Sequence, residues 1–356
     1  IDSISLSDPD NTFIGIIEQI LHLFTGKIGV AIAGNDTTSG VGEVYYQLGE
    51  TYDVNGTWIR GSALEIPPQF KGSVWAKVID NAGNVTIKES DKLISDAEAP
   101  TAPDVTMNTA DGQSYSGNQW TSQKVTLTID SATALSGIKA YVYGIKQPDG
   151  TYNYTTITGN AAVTLDAPEN GQTDYQIYAI SQTGKSSPAV NLTVKCDTVV
   201  PVINVAPTST GWTNGNVTLN LTGLTGSSGV EKIILNKTVN GTTVPIDITS
   251  LVTATPTPDG LNYDLAGSAI TTMNAEHEFI ITNGAGVEVR TNCNITNIDR
   301  TAPAMPTYAV NGTMGSNGWY TTNPVVQIDL PVPDGGSPIN TLYKLHVSGT
   351  PEPPEV

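Results

Sequence analysis

The sequence predicts an all-β chain built from several similar antiparallel sandwiches. Only 14% of its 356 residues are charged, and much of the polar remainder is Thr, Asn, Ser and Gly. Thr, Asn and Gly rank low in helix propensity, whereas β-branched side chains pack well on a pleated sheet. A chain of this length suits two to four domains. Phrases that recur about every 101 residues indicate that these domains are copies of one unit.

Three landmarks recur through the chain in the same order. A closing phrase ends in a proline that recurs after 101 and then 102 residues: DAEAP (96–100), DTVVP (197–201) and DRTAP (299–303). A glycine stands 17 residues before each of these prolines: Gly83, Gly184 and Gly286. An aromatic residue, a polar turn and a strand form a recurring opening phrase: 120–129, 212–221 and 319–328. Three landmarks that recur in one order indicate an array of a single unit.

Each unit has the alternation of an antiparallel sandwich. In VTLTI (125–129) and VTLNL (217–221), apolar residues alternate with Thr or Asn. This alternation predicts that one face of the strand is buried and the other is exposed to solvent. Short strands with turn signals about every 8–12 residues are typical of immunoglobulin-like sandwiches. The predicted domains are 1–98, 99–198, 199–299 and a partial domain, 300–356.

The first unit carries NTFIGIIEQILHLFTG (11–26) in place of the aromatic opening phrase. Its apolar residues Ile14, Ile17, Leu21 and Phe24 fall at helical spacing, which predicts a short helix that plugs one end of the first sandwich. The segment is too short to span a bilayer, which needs about 20 residues. The alternative, a helix lying in a membrane interface, would normally carry Lys or Arg on its polar face, and this segment has neither.

The net charge of −18 argues against two classes of partner. An acidic surface repels phosphate backbones and anionic membranes, and no local cluster of Lys or Arg offsets the repulsion. We interpret the charge as a device that keeps an exported protein soluble. Nucleic-acid binding and membrane insertion are therefore not expected.

Neither the cysteines nor the histidines form a recognisable catalytic or metal-binding motif. Cys196 and Cys293 lie 97 residues apart in neighbouring units, which excludes an intradomain bridge of the antibody type. A bridge between neighbouring units would need Cα atoms within about 7 Å, and two free, mostly buried thiols are the expectation. His22, His277 and His346 lie in three different units without metal-ligand spacing. We expect no enzyme, and no catalytic, cofactor-binding or metal-ligating residues.

Calcium at the first junction is the one cofactor alternative. Hard cations need several converging oxygen ligands. Side chains with such oxygens are dense in two stretches, near the first junction and near the amino end: Asp91, Asp96, Glu98 and Asp104, then Asp8, Asp10 and Asn11. The second junction offers little beyond Asp197. Solvated acids and strand-end turns are the favoured interpretation.

The recurring aromatic residues allow two interpretations. Trp120, Trp212 and Trp319 each stand just before an alternating strand. The favoured one is an apolar lid that closes one end of the sandwich near the joint with the previous unit. The alternative is a platform on which sugar rings stack.

The quoted phrases, with SGV at 228–230 and IDNAGN at 79–84, resemble the immunoglobulin-like repeats of large surface proteins of Gram-positive, clostridial-type bacteria. The resemblance implies extracellular display, a stalk or adhesive role and no catalysis, but it supplies no ligand or binding residues. Units two and three depart from DNAGN, with SQTGK and TNGAG. No role can therefore rest on Asp80, Asn81 or Asn84.

The sequence thus predicts a non-catalytic extracellular repeat array on the bacterial cell surface, a piece of a longer protein that serves as stalk or adhesive arm. Short linkers stiffened by Pro100, Pro201 and Pro303 would limit bending. One alternative is a module that binds host glycan or matrix protein, through the first unit or the loop-rich stretch 253–264. The other is a subunit of a surface layer or filament, in which edge strands pair between neighbouring copies.

Overall fold

The computed structural model describes residues 3–7, 23–331 and 336–342. The chain divides into two compact units, 1–198 and 199–356, and each is described by itself. The predicted all-β class is confirmed: strands make up more than half of the described residues, and the one helical turn among them is the 3₁₀ turn Thr249–Leu251.

The first sandwich has a front and a back sheet. Its strands are β1 Ser3–Ser7, β2 Leu23–Phe24, β3 Ile28–Ala33, β4 Val41–Gly49, β5 Ile59–Arg60, β6 Ala63–Ile66, β7 Gln69–Asp80, β8 Val85–Glu89 and β9 Leu93–Asp96. The front sheet has the order β1-β3-β6, and the back sheet the order β2-β9-β7-β4-β5 with β8 also paired to β7. The 12-residue β7 pairs with β9 at its start and with β4 and β8 further along.

The second sandwich repeats this plan. Its strands are β10 Asp104–Thr109, β11 Trp120–Thr121, β12 Val125–Asp130, β13 Ile138–Lys146, β14 Tyr152–Thr158, β15 Val163–Asp166, β16 Asn170–Ser181 and β17 Val190–Asp197. The front sheet has the order β10-β12-β15 and the back sheet the order β11-β17-β16-β13-β14. All pairs are antiparallel except β11 with β17, which is parallel.

The third sandwich belongs to the second compact unit. Its strands are β18 Val202–Pro207, β19 Val217–Gly226, β20 Val230–Val239, β21 Thr242–Asp247, β22 Val252–Pro256, β23 Asn262–Thr271, β24 Ala275–Asn283 and β25 Glu288–Ile295. The front sheet is β18-β19-β23-β22 and the back sheet β21-β20-β24-β25. A terminal ribbon follows, formed by β26 Thr307–Asn311 and β27 Val325–Asp329.

Each sandwich encloses its own core between front and back sheet. On β12, Val125, Leu127 and Ile129 are fully buried, and the Thr residues between them are part-exposed. The predicted alternation is confirmed on β19 as well, where Val217 and Leu219 are fully buried. Removing a large core side chain of this kind costs about 2–5 kcal/mol, so the alternation is what holds each sandwich together.

The recurring glycine occupies one position of the same turn in each sandwich. Gly83, Gly184 and Gly286 all have φ between 81° and 90°, a left-handed conformation that glycine adopts without steric cost. Each donates its backbone N–H to a carbonyl three residues earlier. The landmark therefore marks a hairpin turn in which a side chain would be strained.

The predicted helix at 11–26 is wrong where the structure describes it. Residues 11–22 lie outside the described residues, and Leu23–Phe24 form β2 instead. This strand pairs in parallel with Ile94 and Ser95 of β9, and Phe24 is buried in the first core. A short apolar run cannot be assigned to helix or strand by spacing alone, and here the open edge of the back sheet supplies the hydrogen-bond partners.

Candidate functional site at the domain junctions

A buried carboxylate joins the first sandwich to the second. Asp96 is the last residue of β9 and the first of the closing phrase, and only 1% of its surface is exposed. Its Oδ2 accepts hydrogen bonds from the backbone N–H of Ser136 at 2.9 Å and from the Ser136 hydroxyl at 2.6 Å. Ser136 lies in the loop between β12 and β13 of the second sandwich. We call this pair of hydrogen bonds the Asp–Ser clasp.

The linker beside the clasp is fixed to the same loop. The N–H of Thr101 donates to the carbonyl of Thr133 at 2.9 Å, and the N–H of Thr133 donates to the hydroxyl of Thr101 at 2.8 Å. Pro100 and Pro103 are buried, and proline fixes its own φ. The linker therefore has few remaining ways to bend.

The clasp recurs between the third sandwich and the terminal ribbon. Oδ2 of Asp299 accepts the N–H of Ser337 at 2.7 Å and its hydroxyl at 2.8 Å. Oδ1 of Asp299 accepts the N–H of Thr301 at 3.0 Å. The Ser337 N–H, followed by that of Thr301, lowers the pKa of the Asp299 carboxyl, since both favour its charged form. At neutral pH the carboxylate is therefore ionised and a strong acceptor.

The acids considered for calcium are not brought together by the described structure. Asp91, Glu98 and Asp104 are exposed, and the described residues contain no group of three or more His, Cys, Asp or Glu that could hold a metal ion. Asp8, Asp10 and Asn11 lie outside the described residues. Asp197, at the second junction, is buried. The absence of a cofactor stays a prediction and calcium the alternative to it, which melting curves with calcium and with EDTA would test.

The predicted tryptophan lid is wrong. Trp120 is half-buried, Trp212 is 46% exposed and Trp319 is 80% exposed. The opening phrase runs parallel to the last strand of its own sandwich, with Trp120 opposite Lys195. This pairing brings Trp120 to the end where the chain leaves the second sandwich.

An open cleft lies beside Trp212 at that end of the third sandwich. It measures about 370 Å³ and is lined by Trp212, Thr213, Asn214, residues 299–303 and Ser337. Thr213 holds the cleft in place, because its N–H donates to Asn297 and its carbonyl accepts from the N–H of Asp299, both at 2.9 Å. The cleft thus combines an exposed indole with a carboxylate and a guanidinium, that of Arg300.

The first sandwich has aromatic rings that pack on one another. Tyr52 lies 6.2 Å from Trp58 and 5.2 Å from Trp75, measured between ring centroids. The Nζ atom of Lys77 stands over Trp58 at 4.4 Å and over Tyr45 at 4.8 Å. The lysine occupies a ring face that a sugar would need, so this cluster mainly fixes the loop 50–58 on the back sheet.

The stretch 253–264, predicted to be loop-rich, is mostly a β-hairpin. β22 and β23 pair from Val252 opposite Gly267 to Pro256 opposite Tyr263. Only a tight turn separates them, in which the Thr257 hydroxyl donates to Asp259. The stretch therefore offers a turn rather than a long binding loop.

The cysteines and the described histidine are packing residues. Cys196 is buried and Cys293 half-buried, and both thiols are free. Burial raises the pKa of each thiol, so neither is an activated nucleophile at neutral pH. His22 and His346 lie outside the described residues.

His277 is fully buried in the third core, and its tautomer follows from its partner. The Thr271 hydroxyl donates to the carbonyl of Met273 at 3.0 Å, so it accepts from Nε2–H of His277, also at 3.0 Å. Nδ1 then carries a buried lone pair without a hydrogen-bond donor. Burial, followed by the charge of Lys237 on the neighbouring strand, lowers the pKa of His277.

Comparisons with known proteins give no family. No protein-family model matches the chain, and no curated protein matches it. No helix among the described residues has the length and apolarity needed to cross a membrane.

Three solved structures show distant likeness. Fibronectin(III)-like modules of Clostridium thermocellum CbhA are 11% identical, with a TM-score of 0.22, over 55% of this chain and 94% of theirs. A Ca²⁺-stabilised ice-binding adhesin of an Antarctic bacterium is 16% identical, with a TM-score of 0.25, over 83% and 74%. A 1.5-MDa bacterial ice-binding adhesin is 12% identical, with a TM-score of 0.29, over 76% and 91%. At these TM-scores the likenesses add nothing to the fold that the strands define.

Proposed function

We propose that the chain is a non-catalytic, extracellular repeat array that forms the stalk or adhesive arm of a surface protein of Gram-positive bacteria. Its domains would be 1–98, 99–198, 199–299 and the partial domain 300–356. The observation that carries the proposal is the Asp–Ser clasp, formed by Asp96 and again by Asp299. Adjacent domains that only shared a flexible linker would not need a recurring hydrogen-bonded joint.

The clasp would stiffen the array by resisting rotation at the two joints where it forms, that of Asp96 and that of Asp299. Hydrogen bonds to a charged group contribute about 1.5–3 kcal/mol, and Asp96 is almost fully shielded from water. Bending at the first junction would expose the carboxylate and break both bonds to Ser136 together. A stiff joint lets an arm hold whatever it carries at a defined distance from the cell.

Limited proteolysis tests whether the clasp immobilises the linker. In the Asp96→Ala variant, cleavage by a non-specific protease within residues 97–103 should become at least about tenfold faster, because released backbone is cut more readily. The matched control is Asp149→Ala. Asp149 also accepts an N–H and a hydroxyl from one residue, Thr151, but within a single turn. Equal linker cleavage in both variants would refute the proposed stiffening.

The cleft beside Trp212 favours a second candidate function, the binding of host glycan. Sugars commonly stack on exposed aromatic rings while polar groups contact their hydroxyls, and here Trp212 lies with Asp299 and Arg300. A glycan panel should show saturable binding that Trp212→Ala removes and Trp319→Ala retains. Binding that survives Trp212→Ala, or no binding by the intact chain, would exclude this cleft. A matrix protein remains the other proposed partner.

A further inference from the structure

The three back sheets end in equivalent edge strands that differ in their protection. An exposed edge has unpaired backbone groups that can pair with another chain, and proteins protect such edges with short strands, charges or proline. In the first sandwich the edge strand β5 has two residues and includes Arg60. In the third, β21 contains Pro245 and Asp247.

The edge strand of the second sandwich, β14, has none of these protections. It runs for seven residues, YNYTTIT, without a charge, a proline or a glycine. It forms the end of the back sheet and pairs only with β13 among the described strands. Its central residues, Asn153 to Thr156, are all exposed. The strand therefore presents a long, uncharged edge to solvent.

The tyrosines of β14 pack across the neighbouring strands of the back sheet. The ring of Tyr154 lies on Gly144 of β13, where a side chain would collide with it. It stacks with Tyr152 at 6.0 Å and meets Tyr178 edge-on at 6.0 Å. The Tyr154 hydroxyl also hydrogen-bonds Gln176 of β16. Its register with β13 is unbroken over all seven residues, and such a regular edge is pre-organised to accept a further strand.

We propose that β14 is an association surface for a second copy of this chain. Two β14 strands would pair antiparallel about a two-fold axis at Thr155, extending the back sheet from one copy into the other. In that register Tyr154 stands opposite Thr156 of the second copy, and aromatic and β-branched residues are favourable cross-strand partners. The pairing would connect stalks side by side, a role beyond that of a stiff arm.

The charges of the chain leave β14 as an edge on which two copies can meet without repulsion. A net charge of −18 makes most surfaces of two copies repel each other. An isologous pair places each residue near its own counterpart, so a charged edge would face its own charge. The edge strand β14 carries no charge that could repel its counterpart. The equivalent edge strands do carry one, Arg60 on β5 and Asp247 on β21.

Sedimentation of the full chain from micromolar to submillimolar concentration tests the proposal. The wild type should show a monomer–dimer equilibrium. Thr155→Lys brings two positive charges together at the two-fold axis and should raise the dimer Kd at least about tenfold. The control Thr243→Lys, on the protected edge β21, should leave the Kd unchanged. A monomer at every concentration, or a dimer that Thr155→Lys leaves intact, would overturn the proposal.

A disulfide at the axis tests the register separately. In a Thr155→Cys chain, mild oxidation should produce covalent dimers, because directly opposed residues have Cβ atoms about 4.5–5.5 Å apart. The Thr243→Cys and unsubstituted chains are the controls, the latter for the native thiols. Equal cross-linking in all three chains would overturn the pairing of β14. Melting curves of each variant verify that it is folded.

Discussion

The second and third sandwiches share one back-sheet plan but differ at one buried position. Nine residues before the recurring glycine stands Tyr175 in the second sandwich and His277 in the third, and both are almost fully buried. Burial raises the pKa of Tyr175 to about 12, so it stays neutral at physiological pH. His277 has its pKa lowered mainly by burial and titrates in the unfolded chain near pH 6.5. Equivalent positions in one fold can thus differ in their response to pH.

The solvent-facing sides of the back sheets also differ between the second and third sandwiches. The second carries the tyrosines of β14 and β16, whereas the third carries an ion-pair group in which Arg290 contacts Glu278 and Glu288. Core side chains must fill the same space in each copy, whereas outward-facing side chains only have to keep the surface of the sandwich soluble. Features that recur therefore report the architecture, and features confined to one copy indicate its particular role.

The largest expected effect is the loss of stability when a core leucine is truncated, and it should be similar in the second and third sandwiches. Leu127→Ala and Leu219→Ala truncate equivalent, fully buried residues, and each should lower the free energy of unfolding of its sandwich by about 2–5 kcal/mol. Hydrogen–deuterium exchange, which resolves each sandwich by its peptides, measures both losses. A loss under about 1 kcal/mol at either site would mean that the cores are not equivalent.

Acidification should lower the free energy of unfolding of the third sandwich but not of the second, and by less than the core truncations do. Because the pKa of folded His277 lies below that of the unfolded chain, the unfolded state binds more protons as the pH falls below about 6.5. The third sandwich should lose on the order of 1 kcal/mol between pH 7.5 and 5.5, and the second, which has no histidine, should not.

The variant His277→Gln supplies the control for this pH dependence. It removes the titrating group, so the stability difference between pH 7.5 and 5.5 should disappear from the third sandwich even if the overall stability is lower. An unchanged pH dependence would assign the effect to other groups.

The smallest effect is expected on the solvent faces. Arg290 is exposed, and exposed ion pairs typically contribute about 0–1 kcal/mol. Arg290→Ala should therefore lower the free energy of unfolding by less than about 1 kcal/mol, and high salt should reduce the loss further. Denaturant titration at low and high salt measures both. A loss above about 2 kcal/mol would show that this face is part of the structural core.

The sequence predicted the repeat, the sheet class and the alternation, because these follow from local patterns. It did not predict the clasp, since the partners Asp96 and Ser136 are 40 residues apart and carboxylates form many kinds of contact. A signal was nevertheless present, because an Asp opens each closing phrase and Ser136 precedes a glycine of a turn. The sequence predicts the wrong end of the sandwich for Trp120, because its parallel pairing with β17 leaves no local pattern.

The central claim is that the Asp–Ser clasp stiffens the first junction. The width of the distribution of distances between a label on the first sandwich and a label on the second tests it most directly. Spin labels at Val54→Cys and Thr164→Cys, on exposed positions of the first and second sandwiches, would report it, with the unsubstituted chain as control for the native thiols. We predict a narrow distribution in the wild-type background and a clearly broader one with Asp96→Ala. Distributions of the same width in both backgrounds would contradict the role of the clasp as the element that stiffens the array.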